Sequence, residues 1–408
     1  MLLIKNIGTL QTPVGSFKHG GQMQGENRKL HNAAVLVEDG IIKAITSDGQ
    51  LPEGWEQAEV IDAGGSLVTP GLIDCHTHMV FGGYRQGEIP LKLRGASYLD
   101  ILRAGGGILD TVGKTRAATE EELYEKTRAF LDEMLLHGVT TAESKSGYGL
   151  DLETELKQLR VNKRLNAEHK MDLVSTFLGA HAIPEEYKGR ADEYIDLLCD
   201  TVLPAVKAEG LADFVDVFCE DSVFDVTQSE KMLRAGQTLG LRARIHADEI
   251  EEIGGAVLAG EMGAISAEHL IATGEKGMAS MAKGGVIADL LPCTSFYLNK
   301  TFAPARRMIE LGIPVAIASD FNPGSCPSLN LQLAMSMGYI KYRMTPEEIL
   351  TAVTINAACS CGMEQKIGTL EVGKQADLVL WNAPDMEMLV YRFGSNLAKT
   401  VIKKGEIV

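Results

Sequence analysis

Short apolar segments alternate with helical stretches from residue 67 to residue 320, and this alternation restricts the fold more than any other feature. Eight segments of strand length occur, at 67–78, 139–143, 173–181, 214–220, 244–248, 264–269, 286–291 and 315–320. Between two of them, Thr119 and Glu122 form a capping-box pattern that opens a helix with one apolar stripe. Eight strand–helix units predict an α/β protein with a (β/α)8 barrel of the TIM type. A doubly wound open sheet is the alternative, because a strand count does not separate the two.

The two ends of the chain have a different, β-rich character. Asp39 and Gly40 separate the β-rich runs 33–38 and 41–45, which is a strong hairpin signal. Similar short runs return at 376–381, 400–404 and 406–408. At 408 residues the chain also exceeds an ordinary barrel of about 250 residues. We therefore predict a small β-sandwich domain formed by residues 1–66 plus 365–408, beside a catalytic barrel of residues 67–364.

Composition excludes several classes of partner. Lysine and arginine total 39 against 55 acidic residues, a net charge of −16, which would repel a nucleic-acid backbone. No apolar run approaches the roughly 20 residues that span a bilayer, so we expect no membrane partner. The first residues, MLLIKNIG, do not resemble a secretory signal, and seven cysteines without C-x-x-C spacing are typical of reduced thiols. A cytoplasmic location is the expectation.

Five of the predicted strands end in a side chain that can bind a metal or move a proton. These residues are His78, His181, His246, His269 and Asp320. His76 also precedes His78 by two positions, so on a strand both imidazoles leave the same face. Any one of these residues could instead be a core histidine bonded to a carbonyl, or an aspartate that caps a helix. A barrel brings its strand ends to one rim, and the set therefore predicts a metal site there.

Several motifs extend this pattern beyond single residues. PGLIDCHTH at 70–78, His246, His269, ASD at 318–320 and GTLEVGKQADLVL at 368–380 together resemble the amidohydrolase superfamily over nearly the whole chain. Longer motifs are similar to one branch, the cyclic-amide hydrolases of histidine degradation. They are HTHMVFGG at 76–83, RAGGGI at 103–108, KSGYGL at 145–150, FLGAHAIP at 177–184, HADE at 246–249 and DFNPGS at 320–325. The implied activity is hydrolysis of the ring C–N bond of 4-imidazolone-5-propanoate to N-formimidoyl-L-glutamate.

The resemblance implies that His76, His78, His246 and Asp320 bind one divalent metal ion, Zn²⁺ or Fe²⁺. Such an ion lowers the pKa of its bound water toward about 7 and so supplies a nucleophile. Nitrogen and oxygen ligands do not separate the two metals, although we rank zinc first. A binuclear site is the alternative, with a carboxylated lysine or with Glu143 or Glu220 as the bridge. Against it, Lys145 is expected in a loop rather than within a strand.

The resemblance also assigns residues to an anionic heterocyclic substrate. Arg85, on the first loop at the rim, is the candidate for the propanoate carboxylate, because a guanidinium can hold a carboxylate through two hydrogen bonds; a surface salt bridge is its alternative role. The remaining substrate-binding candidates are Tyr148, His181, Glu249, Asn322, Gly324 and Ser325. In the last three, backbone amides and small polar side chains are expected to face the ring, although NPGS at 322–325 could also be only a turn.

Glu249 and His269 are the candidates for orienting and deprotonating the attacking water, and Asp320 could pass its proton onward. For Glu249 the alternative is a helix N-terminal acid. A related deaminase acting on a ring C–NH2 is the competing enzyme, because it would use a very similar metal site. A catalytically silent scaffold would have lost metal ligands, yet all four are present. Barrel enzymes of this size commonly pair through outer helices, and a homodimer is the expected assembly.

Overall fold

The computed structural model describes residues 1–95 and 106–408, in which sixteen strands form two sheets. The strands in chain order are β1 (Leu2–Thr12), β2 (Arg28–Glu38), β3 (Ile41–Thr46), β4 (Glu59–Asp62), β5 (Leu67–Pro70), β6 (Leu72–Asp74), β7 (Val139–Lys145), β8 (Asp172–Ala180), β9 (Phe214–Cys219), β10 (Arg242–Ala247), β11 (Ser266–His269), β12 (Ile287–Leu290), β13 (Val315–Ile317), β14 (Leu378–Trp381), β15 (Ala398–Lys403) and β16 (Glu406–Ile407). The RAGGGI motif at 103–108, used above for the family resemblance, begins outside the described residues.

Strands β6 to β13 form a parallel sheet in which each strand pairs with its neighbours along the chain. The first and last strands meet beyond their ends, where Thr77 bridges to Phe321. There His78 N donates to Phe321 O at 2.8 Å and Asp320 N donates to His76 O at 3.1 Å. The predicted barrel is therefore confirmed, and the open-sheet alternative is excluded. The closing seam carries two histidines and an aspartate of the predicted metal site.

Helices cover the outside of this barrel. The α-helices of the described residues are Ile89–Leu93, Ile108–Ala117, Glu120–Leu136, Leu152–Glu168, Ala191–Leu197, Leu203–Glu209, Val226–Thr238, Gly255–Met262, Glu275–Gly284, Pro292–Tyr297, Ala305–Glu310, Leu331–Ile340, Pro346–Ala352, Ile355–Cys361 and Met386–Tyr391. The helix Glu120–Leu136 begins with the predicted capping box of Thr119 and Glu122 and buries Leu123, Leu131 and Met134. No helix among those described has the length and apolarity needed to cross a bilayer.

The ends of the chain build the second sheet, which is mixed and has eight strands in the described residues. The predicted hairpin is present, because Asp39 and Gly40 connect β2 and β3 with positive φ values of 50° and 77°. One segment differs from the prediction, since the run expected as a single barrel strand from residue 67 is divided. Leu67–Pro70 pairs with β1 and β14 in the terminal sheet, and only Leu72–Asp74 enters the barrel. The Pro70–Gly71 step interrupts the strand, because proline cannot continue the ladder.

The terminal sheet is attached to the barrel through buried contacts. Trp381 of β14 is fully buried, donates from Nε1 to Thr69 Oγ1 at 2.9 Å, and packs in the same apolar cluster as the barrel residues Leu72 and Val139. Lys403 of β15 lies 2.6 Å from Asp172 Oδ2 at the start of β8. The Trp381 contacts hold the barrel strand that precedes the first two histidines in a defined position.

Candidate metal centre and active site

Three histidines meet at the carboxyl ends of the barrel strands. His76 and His78 extend from β6, and His246 lies within β10, 170 residues farther along the chain from His76. Their ligand atoms all lie within 4.8 Å of one another. His76 Nε2 is 3.2 Å from His78 Nε2, and the His76 and His246 ring centroids are 4.7 Å apart. All three side chains are buried, so the structure brings together the three imidazoles that the sequence grouped.

Asp320 completes this cluster from the segment after β13. Its Oδ1 lies 3.6 Å from both His76 Nε2 and His78 Nε2. Its other oxygen, Oδ2, accepts a hydrogen bond from Thr294 Oγ1 at 2.5 Å, so the carboxylate is held with one oxygen toward the histidines. Burial raises the pKa of Asp320 to about 6. A cation beside this oxygen would favour the ionised form.

The donor atoms of this cluster fit a metal ion. Burial lowers the pKa values of His76 and His78 well below the ordinary histidine value, so both rings are neutral and carry a lone pair. His246 Nε2 is buried and has no hydrogen-bond partner among the described residues. Burial also lowers the pKa of His246, but the carboxylates of Asp216 and Glu268 outweigh it and raise that pKa to about 10. The site therefore attracts positive charge to buried nitrogen and oxygen donors, as a divalent cation requires.

Below the histidines, the interior of the barrel contains a charged network that the sequence analysis did not identify. Its members are Glu143, Lys145, Asp216, Arg244, Glu268 and Asp289, all buried. Lys145 Nζ lies 3.1 Å from Glu143, 2.9 Å from Asp216 and 3.1 Å from Glu268. Arg244 lies 2.7 Å from Glu268 and 2.8 Å from Asp289. The available signal was the presence of charged residues inside segments otherwise apolar enough to be barrel strands.

Lys145 differs from its expected position, because it is the last residue of β7 rather than part of a loop. Burial and Arg244 lower its pKa, but Asp216, Glu143 and Glu268 outweigh them and raise the pKa above the ordinary lysine value. Lys145 is therefore an ammonium group surrounded by carboxylates, whereas a carboxylated lysine would carry a negative charge beside them. Glu220, the other proposed bridge, accepts hydrogen bonds from the backbone N–H groups of Asp221, Ile250 and Glu251.

Glu249 and His269 face each other beside the metal cluster. Glu249 Oε2 lies 3.7 Å from His269 Nε2, and the His269 ring centroid is 5.2 Å from that of His246. The turn carrying Glu249 is fixed from below by Glu220, and by Asp248, whose carboxylate accepts from Thr273 Oγ1 at 2.9 Å. Glu249 is not a helix N-terminal acid, since the next helix starts at Gly255. His269 Nδ1 is buried without a partner among the described residues, so His269 is not a core histidine satisfied by a carbonyl.

His181 and Tyr148 form another wall of the same pocket. The His181 ring stacks on His78 at a centroid distance of 4.9 Å and lies 5.3 Å from the ring of Tyr148. Burial and the nearby His246 lower the pKa of His181 to about 3, so the ring is neutral. Its Nδ1 lies 3.1 Å from the carbonyl oxygen of Gly147, which favours a proton on Nδ1 and leaves Nε2 as an acceptor.

Arg85 reaches the pocket by lying directly over Gly324. A Cβ atom on Gly324 would come within 1.3 Å of Arg85 Nη2 and 1.8 Å of Cζ, so only glycine leaves room for the guanidinium. Arg85 N also donates to Pro323 O at 3.2 Å. Burial raises the pKa of Tyr148 and lowers that of His181, and the guanidinium charge of Arg85 acts on both groups, so Arg85 lies near both walls of the pocket.

The loop after Asp320 is organised by the side chain of Asn322. Asn322 Oδ1 accepts from the backbone N–H groups of Gly324 at 2.9 Å and Ser325 at 2.7 Å, and Nδ2 donates to Asp320 O at 2.8 Å. These two amides are therefore used inside the loop, whereas we expected them to face the ring. The side chains of Asn322 and Ser325 remain beside the pocket and are hydrogen-bonded to each other.

The chain has many relatives that align with it over nearly their full length. It is 52% identical to the imidazolonepropionase of Alkaliphilus metalliredigens, in an alignment covering 100% of this chain and 97% of that protein. It is 51% identical to the imidazolonepropionase of Geobacillus kaustophilus, over 93% of this chain and 90% of that protein. The one from Bacillus thuringiensis is 50% identical over 93% of this chain and 89% of its own length.

Solved structures with the same fold are much more distant in sequence. The 5-methylcytosine deaminase of Klebsiella pneumoniae has a TM-score of 0.77 at 19% identity, covering 100% of this chain and 98% of that protein. Escherichia coli guanine deaminase has a TM-score of 0.70 at 14% identity, with coverage of 100% and 98%. Residues 67–408 match the amidohydrolase family. The chain therefore belongs to the amidohydrolase family and, within it, to the imidazolonepropionases.

Proposed function

We propose that this chain hydrolyses 4-imidazolone-5-propanoate to N-formimidoyl-L-glutamate, a step of histidine degradation. It is a hydrolase that acts on a cyclic amide. Water adds across the ring C–N bond, with its oxygen on the carbonyl carbon and one proton on the departing ring nitrogen. The observation that carries this conclusion is identity of about 50% over at least 93% of the chain to proteins named imidazolonepropionase.

A divalent metal ion is part of this proposal. His76, His78 and His246, with Asp320, would hold it, and the buried His246 Nε2, which has no hydrogen-bond partner among the described residues, supports that assignment. When bound, such an ion acidifies water and so supplies a nucleophile near neutral pH. We favour one ion rather than two, because the ammonium group of Lys145 lies among the carboxylates that a second ion would need. We favour zinc over iron(II), which the same donor types would also accept.

Binding of the substrate falls to the residues around the pocket mouth. Arg85 holds the propanoate carboxylate through its guanidinium, which lies over Gly324. His181 Nε2 accepts a hydrogen bond from a ring N–H, and Tyr148 forms the wall beside it. Asn322 and Ser325 contact the substrate or product through their side chains. Glu249 also contacts the bound ring, because it lies beside His269 at the metal cluster.

Proton transfer falls to Glu249, His269 and Asp320. Glu249 Oε2 and His269 Nε2 lie 3.7 Å apart, within ion-pair distance, beside the metal cluster. Glu249 orients the attacking water and takes its first proton, and His269 stabilises the oxygen that gains charge as the carbonyl is attacked. Asp320, held by Thr294, passes that proton onward to the departing nitrogen.

The test is an assay with imidazolonepropionate produced by urocanase, with and without prior removal of metal by a chelator. We expect loss of the ring absorbance, formation of N-formimidoyl-L-glutamate and no ammonia, and we expect the chelated protein to recover activity when zinc is returned. Ammonia release with an intact ring would indicate a deaminase instead. Full activity of the metal-free protein would refute the metal site.

We further propose that the protein is cytoplasmic and acts as a homodimer without nucleic-acid or membrane partners. All seven cysteines are free thiols, as is usual in a reducing compartment. The net charge of −16 supports the absence of a nucleic-acid partner.

A further inference from the structure

We propose that Glu268 is a positioning residue that sets the tautomer of two metal-binding histidines, His76 and His246, with a single carboxylate oxygen. Glu268 immediately precedes His269 on β11, and its side chain points into the barrel below the metal cluster rather than into the pocket. The inference rests on the proposed metal site and concerns how this chain prepares that site.

The two carboxylate oxygens of Glu268 contact different partners. Oε2 lies 3.0 Å from His76 Nδ1 and 3.0 Å from His246 Nδ1. Oε1 faces the other way and contacts Lys145 Nζ at 3.1 Å and Arg244 Nε at 2.7 Å. The carboxylate is fully buried and has no contact with bulk solvent.

A negative oxygen at this distance decides where each ring carries its proton. A neutral imidazole has one N–H and one lone pair, and a lone pair on Nδ1 would be repelled by the carboxylate. The N–H directions do not point straight at Oε2, so these are electrostatic contacts rather than linear hydrogen bonds. The proton is still favoured on Nδ1, and the lone pair is then on Nε2, the nitrogen that faces the metal cluster.

His76 depends on Glu268 more than His246 does. His246 Nδ1 also lies 3.0 Å from Asp216 Oδ2, so a second carboxylate supports its tautomer. Among the described residues, Glu268 is the one carboxylate within ion-pair distance of His76 Nδ1. Loss of the Glu268 charge should therefore affect His76 first.

The Glu268→Gln substitution tests this inference directly, because the glutamine amide has one acceptor oxygen where the carboxylate has two. Lys145 and Arg244 can only donate hydrogen bonds, so the glutamine oxygen must stay with them. The amide NH2 is then directed at His76 Nδ1 and His246 Nδ1. A donor at that place favours a lone pair on Nδ1 and a proton on Nε2, which opposes metal binding there.

The experiment measures zinc affinity of the metal-free full-length protein by competition with a chromogenic chelator. Removing a residue that orients a metal-bound histidine typically lowers metal affinity 10- to 100-fold. We therefore expect the zinc affinity of Glu268→Gln to fall by about that factor. Asp289→Asn is the matched control, because Asp289 is a buried acid of the same network that contacts Arg244 and Ser360 but none of these histidines. The zinc affinity of Asp289→Asn should stay within about threefold of that of the unmodified protein. This change is much smaller than the loss of affinity expected when an orienting partner is removed.

A third variant separates tautomer control from simple packing. Glu268→Asp keeps the charge but is shorter, whereas Glu268→Gln keeps the size but loses the charge. Tautomer control predicts tighter zinc binding by Glu268→Asp than by Glu268→Gln, and a packing role predicts the reverse. Unchanged affinity in Glu268→Gln, or the reversed order, would overturn the inference.

A measurement on the unmodified protein covers the case in which Glu268→Gln does not fold. In the zinc-loaded protein with ¹⁵N-labelled histidine, His76 and His246 should carry their proton on Nδ1. A deprotonated or zinc-bound Nδ1 in His76 would overturn the inference. A failure of the unmodified protein to bind zinc would refute the proposed metal site, and this inference with it.

Discussion

At the scale of single residues, two of the proposed functional side chains at the rim of the barrel lie on backbone that non-glycine residues rarely adopt. His269 and Asp320 have φ values of 69° and 55°. Such left-handed residues cost about 1–3 kcal/mol each and tend to occur where function over-determines the local structure. Here the turn directs one side chain at Glu249 and the other at the histidines of the metal cluster. Two of the strained positions are therefore ones that the proposed chemistry uses.

Glu249→Gln and His269→Ala should retain metal yet lower kcat by roughly 10²-fold or more, because each removes a group that handles a proton. Metal content and steady-state kinetics of the purified variants measure both quantities. Glu251→Gln is the control: its side chain is exposed, and its backbone N–H rather than its side chain bonds to Glu220. Turnover of Glu249→Gln or His269→Ala as fast as that of Glu251→Gln would remove that residue from the mechanism.

At the scale of elements, two loops from opposite ends of the barrel sequence interlock at the pocket mouth. The loop after β6 supplies Arg85, and the loop after β13 supplies Gly324, over which the guanidinium lies. The second loop is held in shape by Asn322, which accepts from two of its amides. Both loops therefore determine the position of the Arg85 guanidinium, although Arg85 itself belongs to the first loop.

Gly324→Ala should fold normally but raise KM, because the added Cβ displaces the flexible end of Arg85 rather than any backbone. Loss of a charged hydrogen-bonded contact predicts about a 10- to 100-fold increase in KM, and Arg85→Ala should raise it similarly. Combining the two changes should add little, since both remove the same contact.

Gly87→Ala is the comparison for that experiment. Gly87 lies in the same first loop, and a Cβ there would meet no atom within 4 Å. Its KM should stay at the normal value. Strictly additive effects in the Gly324→Ala and Arg85→Ala double variant would show that Gly324 acts by another route.

At the scale of the whole molecule, the terminal sheet and the barrel share a buried contact at Trp381. This side chain belongs to a strand of the sheet but packs in the core cluster of the barrel, and its indole N–H is satisfied by Thr69. Lys403 adds an ion pair to Asp172 at the start of a barrel strand. The N-terminal segment also inserts Gln24, which exchanges hydrogen bonds with the backbone of Val315 in the last barrel strand. The two sheets are therefore expected to unfold together.

Trp381→Ala should lower the free energy of unfolding by about 3–5 kcal/mol, the usual range when a large buried aromatic side chain is truncated. Denaturant unfolding followed by circular dichroism measures this loss. Trp55→Ala serves as the reference, because Trp55 is only partly buried and packs in a small cluster of the terminal sheet. Equal losses in the two variants would argue against Trp381 as the main junction between sheet and barrel.

The sequence alone predicted the barrel, because burial imposes a local apolar pattern on every strand and helix, and short-range rules such as the Asp39–Gly40 turn and the Thr119 cap act over a few residues. It also predicted a metal site at the rim, since all parallel strands end there, and the resemblance to the amidohydrolases implied His76, His78, His246 and Asp320 as its ligands. Tertiary structure decided which charged groups share the barrel interior: Glu268, Lys145 and Arg244 are each a charged residue inside an apolar strand, and the closed barrel brings Lys145 to Glu268. It likewise decided that Gly324 makes room for Arg85. Contacts between residues more than a hundred positions apart depend on how the barrel closes, which no local pattern records.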